Sequence, residues 1–140
     1  MIDLEAQARA LCAQLEPLGL TCYPWTDGAE HPDSITVEPD QPWVEYDRSF
    51  GASGYAATNW RLTVRLSLGA GIDEAYARMY ALCGTDAALS IFDALRADAT
   101  LGGAVGDCHA GRVSAPRREM TDQGEVLTMV YPVTIMERRG

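Results

Sequence analysis

Residues 60–68 alternate without a break: Trp60, Leu62, Val64, Leu66 and Leu68 are apolar, and Arg61, Thr63, Arg65 and Ser67 between them are polar. A period of two is the pattern of a strand with one face buried and the other wet. Residues 126–136 form a second such strand, with Leu127, Met129, Tyr131, Val133 and Ile135 on one side. Any fold of this chain must therefore contain a sheet with one covered face.

Helical spacing supplies the cover. Leu4, Ala8, Leu11, Leu15 and Leu18 recur at helical intervals over residues 2–18, with Asp3 and Glu5 in the first turn and a stop at Pro17, Leu18 and Gly19. Ile72, Tyr76, Met79, Leu82 and Cys83 predict a helix over 72–83, and Leu89, Phe92 and Leu95 predict another after Gly84. Residues 20–25 read as extended and 26–34 as a loop. Residues 35–38 and 43–50 read as two short strands, whose neighbours Pro39 and Pro42 lack an amide donor and belong at a sheet edge or off it. A turn at Leu101, Gly102 and Gly103 precedes a strand near 105–113, and residues 115–124 read as a basic loop before the closing strand. The order predicts one α+β domain over residues 1–140: a mixed, mostly antiparallel sheet packed by an N-terminal helix and a central helix pair.

Composition narrows the function classes. At 140 residues and 15.2 kDa, with 47% apolar and 22% charged residues, the chain can build a real core without metal or disulfides. It carries no run near the ~20 apolar residues that span a bilayer and no basic start followed by an apolar block, so a cytosolic site of synthesis is expected. The net charge is −9, and all eleven basic residues are arginine. Ten acids and two arginines fall in residues 1–60, against ten acids and nine arginines in 61–140. Such a chain lacks the clustered cations that bind nucleic-acid backbones, whereas an acidic wall past which DNA slides is compatible with it.

Motifs for bond chemistry are missing. Cys12, Cys22, Cys83 and Cys108 form no CxxC pair, and only His31 and His109 stand beside them, so metal spacing is absent. Cys12 and Cys83 fit buried helical positions. Gly69 and Gly71 follow a strand and open a helix, but Asp73 and Glu74 would repel a pyrophosphate there and suit an ordinary helix start. The Gly51 to Gly54 stretch does not reproduce a nucleophile elbow. Glu38, Asp40, Glu45 and Asp47 read as solvated edge acids. Trp25, Trp43 and Trp60, with Tyr23, Tyr46 and Tyr55, concentrate aromatics in residues 20–60. Trp60 belongs to the core by its alternation; for Trp25 and Trp43, core and interface both stand. Arg112, Arg117 and Arg118 form either a solvated loop or a docking surface.

Residues 89–113 carry a more specific signal. Leu95, Asp98, Leu101, Gly102, Gly103, Val105 and Asp107 give a helix that ends on an acid, a Leu-Gly-Gly-x-Val turn, and an Asp entering a strand. This segment resembles one in the small tail-terminator and neck proteins of long-tailed bacteriophages. The overall layout is similar too, although the specific motif spans only about 20 residues; Gly106, the Cys108 and His109 pair and the arginine-rich last loop depart from it. The resemblance implies a structural virion protein of the viral tail or neck, made in the host bacterial cytoplasm. Its copies would form a ring, expected to be a hexamer, that caps the tail tube and joins it to a neck or connector protein while DNA passes unbound. It implies no catalysis, cofactor, metal or membrane. Trp25, Trp43, Tyr46, Arg61, Arg65, Arg117 and Arg118 would then meet neighbouring copies, tube or neck. The alternatives are a head-closure or connector protein of the neck, a small enzyme using carboxylates with His31 or His109, and a monomeric binding adaptor.

Overall fold

The computed structural model describes residues 2–28, 31–48, 54–69, 71–85 and 89–138. Its elements run α1 (Leu4–Leu15), β1 (Thr21–Tyr23), β2 (Ser34–Glu45), β3 (Tyr55–Ser67), α2 (Ile72–Cys83), α3 (Ile91–Ala97), β4 (Asp107–Ala110), β5 (Arg117–Thr121) and β6 (Gly124–Arg138). They build an α+β fold in which a six-stranded, mostly antiparallel sheet is packed by three helices. The expected architecture is thus the observed one.

The two alternating segments are the centre of the sheet. β3 and β6 pair antiparallel along their whole length, which sets Trp60 opposite Val133, Leu62 opposite Tyr131, Val64 opposite Met129 and Leu66 opposite Leu127. Strand order is β1-β2-β3-β6-β4, with β5 also on β6; only β1 and β2 run parallel. Because side chains alternate, these eight residues share one face, and Ile35 and Val37 of β2 extend it through their pairing with Val64 and Leu62. All three helices press on that face: Ala8, Leu11 and Leu15 of α1, Ala75, Met79 and Leu82 of α2, and Ile91 and Leu95 of α3 join the same buried cluster. Each fully buried Leu, Ile or Met there contributes roughly 1.5–3 kcal/mol relative to exposure.

Helix ends follow local chemistry. Asp3 caps α1 by accepting the Ala6 amide at 3.0 Å, and a single 3-10 turn over Glu16–Leu18 ends at Gly19, whose φ of +79° puts it in the left-handed region. Ser90 caps α3 by accepting the Asp93 amide. α2 starts on Gly71 with no side-chain cap, so the capping role expected for Asp73 and Glu74 is not a hydrogen bond; both are exposed in the first turn, where the helix dipole favours acids.

Several sequence expectations are corrected. The two short strands expected over 35–38 and 43–50 are one strand, β2, with an irregularity between Pro39 and Val44. Its outer edge is unpaired beyond Thr36, because β1 reaches no further, and that is where the two prolines are tolerated. Residues 49 and 50 of the second expected strand, and residues 51–53 of the glycine-rich stretch, lie outside the described residues. Residues 115–124 are not a loop: Arg117–Thr121 is β5, which pairs with β6 through a short turn. The strand expected over 105–113 is regular only as β4, yet Gly111 and Ser114 still donate to Pro132 and Val130, so the chain tracks β6 from 107 to 121. On α2, Met79 and Leu82 of the expected apolar spacing are buried together with Ala75, whereas Ile72 is 41% exposed. Cys12 is only half-buried, and it forms a disulfide with Cys22 that ties α1 to β1.

Burial perturbs two groups on the covered face. Desolvation pushes the Cys108 thiol up to about 12, helped by the nearby Asp107 charge and opposed by Arg96. The Tyr131 phenol is likewise pushed up to about 12, chiefly by burial. Ordinary values are about 8.5 and 10, so in alkali the unfolded chain loses these protons before the folded one does. The stability these two groups contribute is therefore complete below pH ~8.5 and is lost as pH rises toward 12. Between pH ~9.5 and 11, Cys108 alone is expected to lower unfolding free energy by about 1.4 kcal/mol per pH unit. Cys108→Ala should flatten that slope in urea titrations; an unchanged slope would rule out Cys108 as its source.

Candidate interaction surfaces

The three tryptophans of residues 20–60 converge beside α1. Trp60 is buried, as its alternation requires, and Trp43 meets it edge-on, with centroids 5.7 Å apart. Trp25 follows β1 and is 52% exposed; the Arg9 guanidinium of α1 lies 4.9 Å from its ring centroid and also faces Glu5 at 3.6 Å. Leu4, Ala8, Val37 and Pro39 complete an apolar groove of about 310 Å³ beside the three tryptophans. Both readings of the sequence thus have a share: Trp43 is core at one edge and surface at the other, while Trp25 is mainly surface. Tyr46 is exposed just past the end of β2.

The arginines divide between two faces. Arg61 and Arg65 point from β3 to the face opposite the helices, alongside Thr36, Thr63 and Thr128, which are buried although no helix covers them. Short side chains there leave room for the long arginine stems to lie across the sheet. Arg61 bonds Glu38 at 3.0 Å on the neighbouring strand. For Arg65 no carboxylate stands within ion-pair distance among the described residues, and the Nε atoms of both arginines are buried without a hydrogen-bond partner. Arg117 shares this face through its pairing with Thr128 and bonds Glu119 at 2.7 Å. Arg118 alternates to the helix side, opposite Leu127, and bonds Glu125. The seven residues singled out in the sequence therefore do not form one patch.

One surface feature escaped the sequence reading. Ile72, Tyr76 and Tyr80 make a stripe along α2 beside its buried face, with Tyr80 65% exposed and its ring 5.9 Å from that of Tyr76. Asp73 and Ala77 line the same shallow depression. The signal for it is the i, i+4, i+8 spacing of Ile72, Tyr76 and Tyr80, which runs beside the spacing of Met79 and Leu82.

The Leu-Gly-Gly segment forms a tight unit after α3. The Asp98 carboxylate accepts the Thr100 hydroxyl and the amides of Thr100 and Gly102, and these bonds, the Thr100 hydroxyl foremost, hold its pKa below the usual carboxylate range. Leu101, Gly102 and Gly103 all have positive φ, and Leu101 and Val105 turn back into the core. Gly106 has a packing reason: a Cβ there would lie 2.6 Å from the Met136 carbonyl oxygen.

The two histidines do not come together. His31 stacks on Tyr23 and meets Asp27 at 3.1 Å in the β1–β2 connection, whereas His109 meets Asp107 at 2.8 Å on β4, at the other edge of the sheet. An open depression of about 610 Å³ lies beside His109, with Tyr55, Glu137 and Arg138 on its walls. Among the described residues no group of three or more His, Cys, Asp or Glu is placed to hold a metal ion, and no helix is long and apolar enough to cross a membrane. The chain matches no protein-family model, and no curated protein matches it by sequence.

Proposed function

We propose that the chain is a structural subunit of a long-tailed phage virion whose copies form a ring, cap the tail tube and join it to the neck. The observation that carries this reading is the unit from Asp98 to Val105, where the residues that resemble the tail-terminator segment act together: the acid ties the turn, two glycines and Leu101 make it, and Leu101 and Val105 anchor it. The acidic balance of the chain suits a protein past which DNA slides, and the mechanism is assembly through complementary surfaces. A head-closure role in the neck draws on the same properties and is separated from the terminator role by the partner.

Tube protein from a neighbouring gene, polymerised with and without the chain and imaged by electron microscopy, tests the reading. The expected result is a ring at one tube end and a narrowed length distribution. Tubes that grow unaltered and bare would contradict the terminator role; binding to the connector instead would assign the head-closure role. His31→Ala and His109→Ala together are expected to leave assembly unchanged.

A further inference from the structure

The domain has two layers and therefore two unlike outer surfaces. On one side is the uncovered sheet face, with Thr36, Thr63 and Thr128 flat beneath the arginines of β3. On the other is the helix layer, from which α2 presents the exposed Ile72 and Tyr80 beside Asp73, with Tyr76 half-buried between them against the core. A two-layer domain leaves both surfaces open, and an apolar helix stripe and the open face of a sheet are surfaces that pack on one another.

We propose that the stripe of α2 in one copy docks on the Arg61–Arg65 face of the next. Charge is complementary: Arg65 has no carboxylate within ion-pair distance among the described residues, while Asp73 is exposed at the helix start with no ion pair among them. A carboxylate from a second copy supplies what the arginine lacks, in charge-assisted geometry. The aromatic pair suits the same surface, because guanidinium planes stack on tyrosine rings. The dimensions agree as well. Arg61 and Arg65 stand about 13 Å apart at strand spacing, and Ile72 to Tyr80 covers about 12 Å at helical rise. Joining the helix side of one copy to the sheet side of the next is heterologous, so the contact repeats head to tail and closes a ring where the rotation permits. The inference deepens the ring reading and rests on it.

Charge exchange is the test, with association measured by light scattering over a concentration series, alone and with tube protein. Arg65→Glu and Asp73→Arg are each expected to weaken association at least tenfold, and the two together to regain most of it. Tyr80→Glu, at an exposed position where folding is not at stake, should weaken it similarly. Circular dichroism confirms that each variant is folded; should Arg65→Glu fail to fold, Asp73→Arg and Tyr80→Glu still decide. Association that none of the folded variants alters would overturn this contact and leave the ring reading standing. Wild-type protein that stays monomeric in both conditions would overturn both. Charge exchange that behaves as expected in a protein that caps no tube would establish the contact and contradict the functional reading.

Discussion

Gln7→Ala is expected to lower stability by about 3–4 kcal/mol and the melting temperature by about 10 °C, which is large for a residue on the first helix. Gln7 is fully buried on α1 between β3 and β6. Its carbonyl oxygen accepts the Trp60 indole N–H at 3.0 Å, and its amide nitrogen donates to the Glu137 carboxylate. Truncation leaves the indole donor dry and unpaired, at about 1–3 kcal/mol, and removes a hydrogen bond to a charged group, worth about 1.5–3 kcal/mol. The small cavity left behind adds to the cost. Urea denaturation of Gln7→Ala, Trp60→Phe and the pair forms a cycle in which a coupling of about 1 kcal/mol is expected. Strict additivity would mean that the indole bond does not stabilise the fold.

Opening the disulfide should have the second largest effect. Cys12 on α1 and Cys22 on β1 are ten positions apart, and the bridge fastens the 3-10 corner between them to the sheet. A covalent loop of this length restricts the unfolded chain by roughly 3 kcal/mol. Reductant, or Cys12→Ser with Cys22→Ser, is therefore expected to lower unfolding free energy by about 2–3 kcal/mol, and the double variant should be insensitive to reductant. An intact mass 2 Da higher after reduction would confirm the bridge directly. Equal urea midpoints for the oxidised, reduced and double-variant proteins would contradict the effect. Cys83 and Cys108 remain thiols, and burial pushes both above the ordinary value, so they are expected to react slowly with thiol reagents.

The strands that form the centre of the sheet were legible because one face is apolar and the other polar: at β3 and β6, the period of two also fixes register. α1 was legible for the parallel reason at a period of 3.6. β5 was not, because a strand built of Arg117, Arg118, Glu119, Met120 and Thr121 buries no side of its own and forms only by hydrogen bonding to β6. β2 was split in two because its prolines mark the unpaired edge, a matter of where β1 ends rather than of local sequence. Among site residues, Trp60 was placed correctly by alternation. The division of the arginines between faces followed from pairing, which sequence spacing does not reveal across strands. Cys12 was read as core because helical spacing carries no record of Cys22, which becomes its neighbour only after the chain turns at Gly19. The same blindness hid Gln7, a polar residue whose two partners lie 53 and 130 positions away.

The proposed function requires a ring, since capping a tube, passing DNA and joining a neck all require several copies around an axis. Light scattering of the purified chain, alone and mixed with tube protein, measures that property most directly. The account predicts a closed species of several 15.2 kDa copies, six for a hexamer, formed either alone or on the tube. A 15.2 kDa monomer in both conditions, never eluting with tubes, would contradict it.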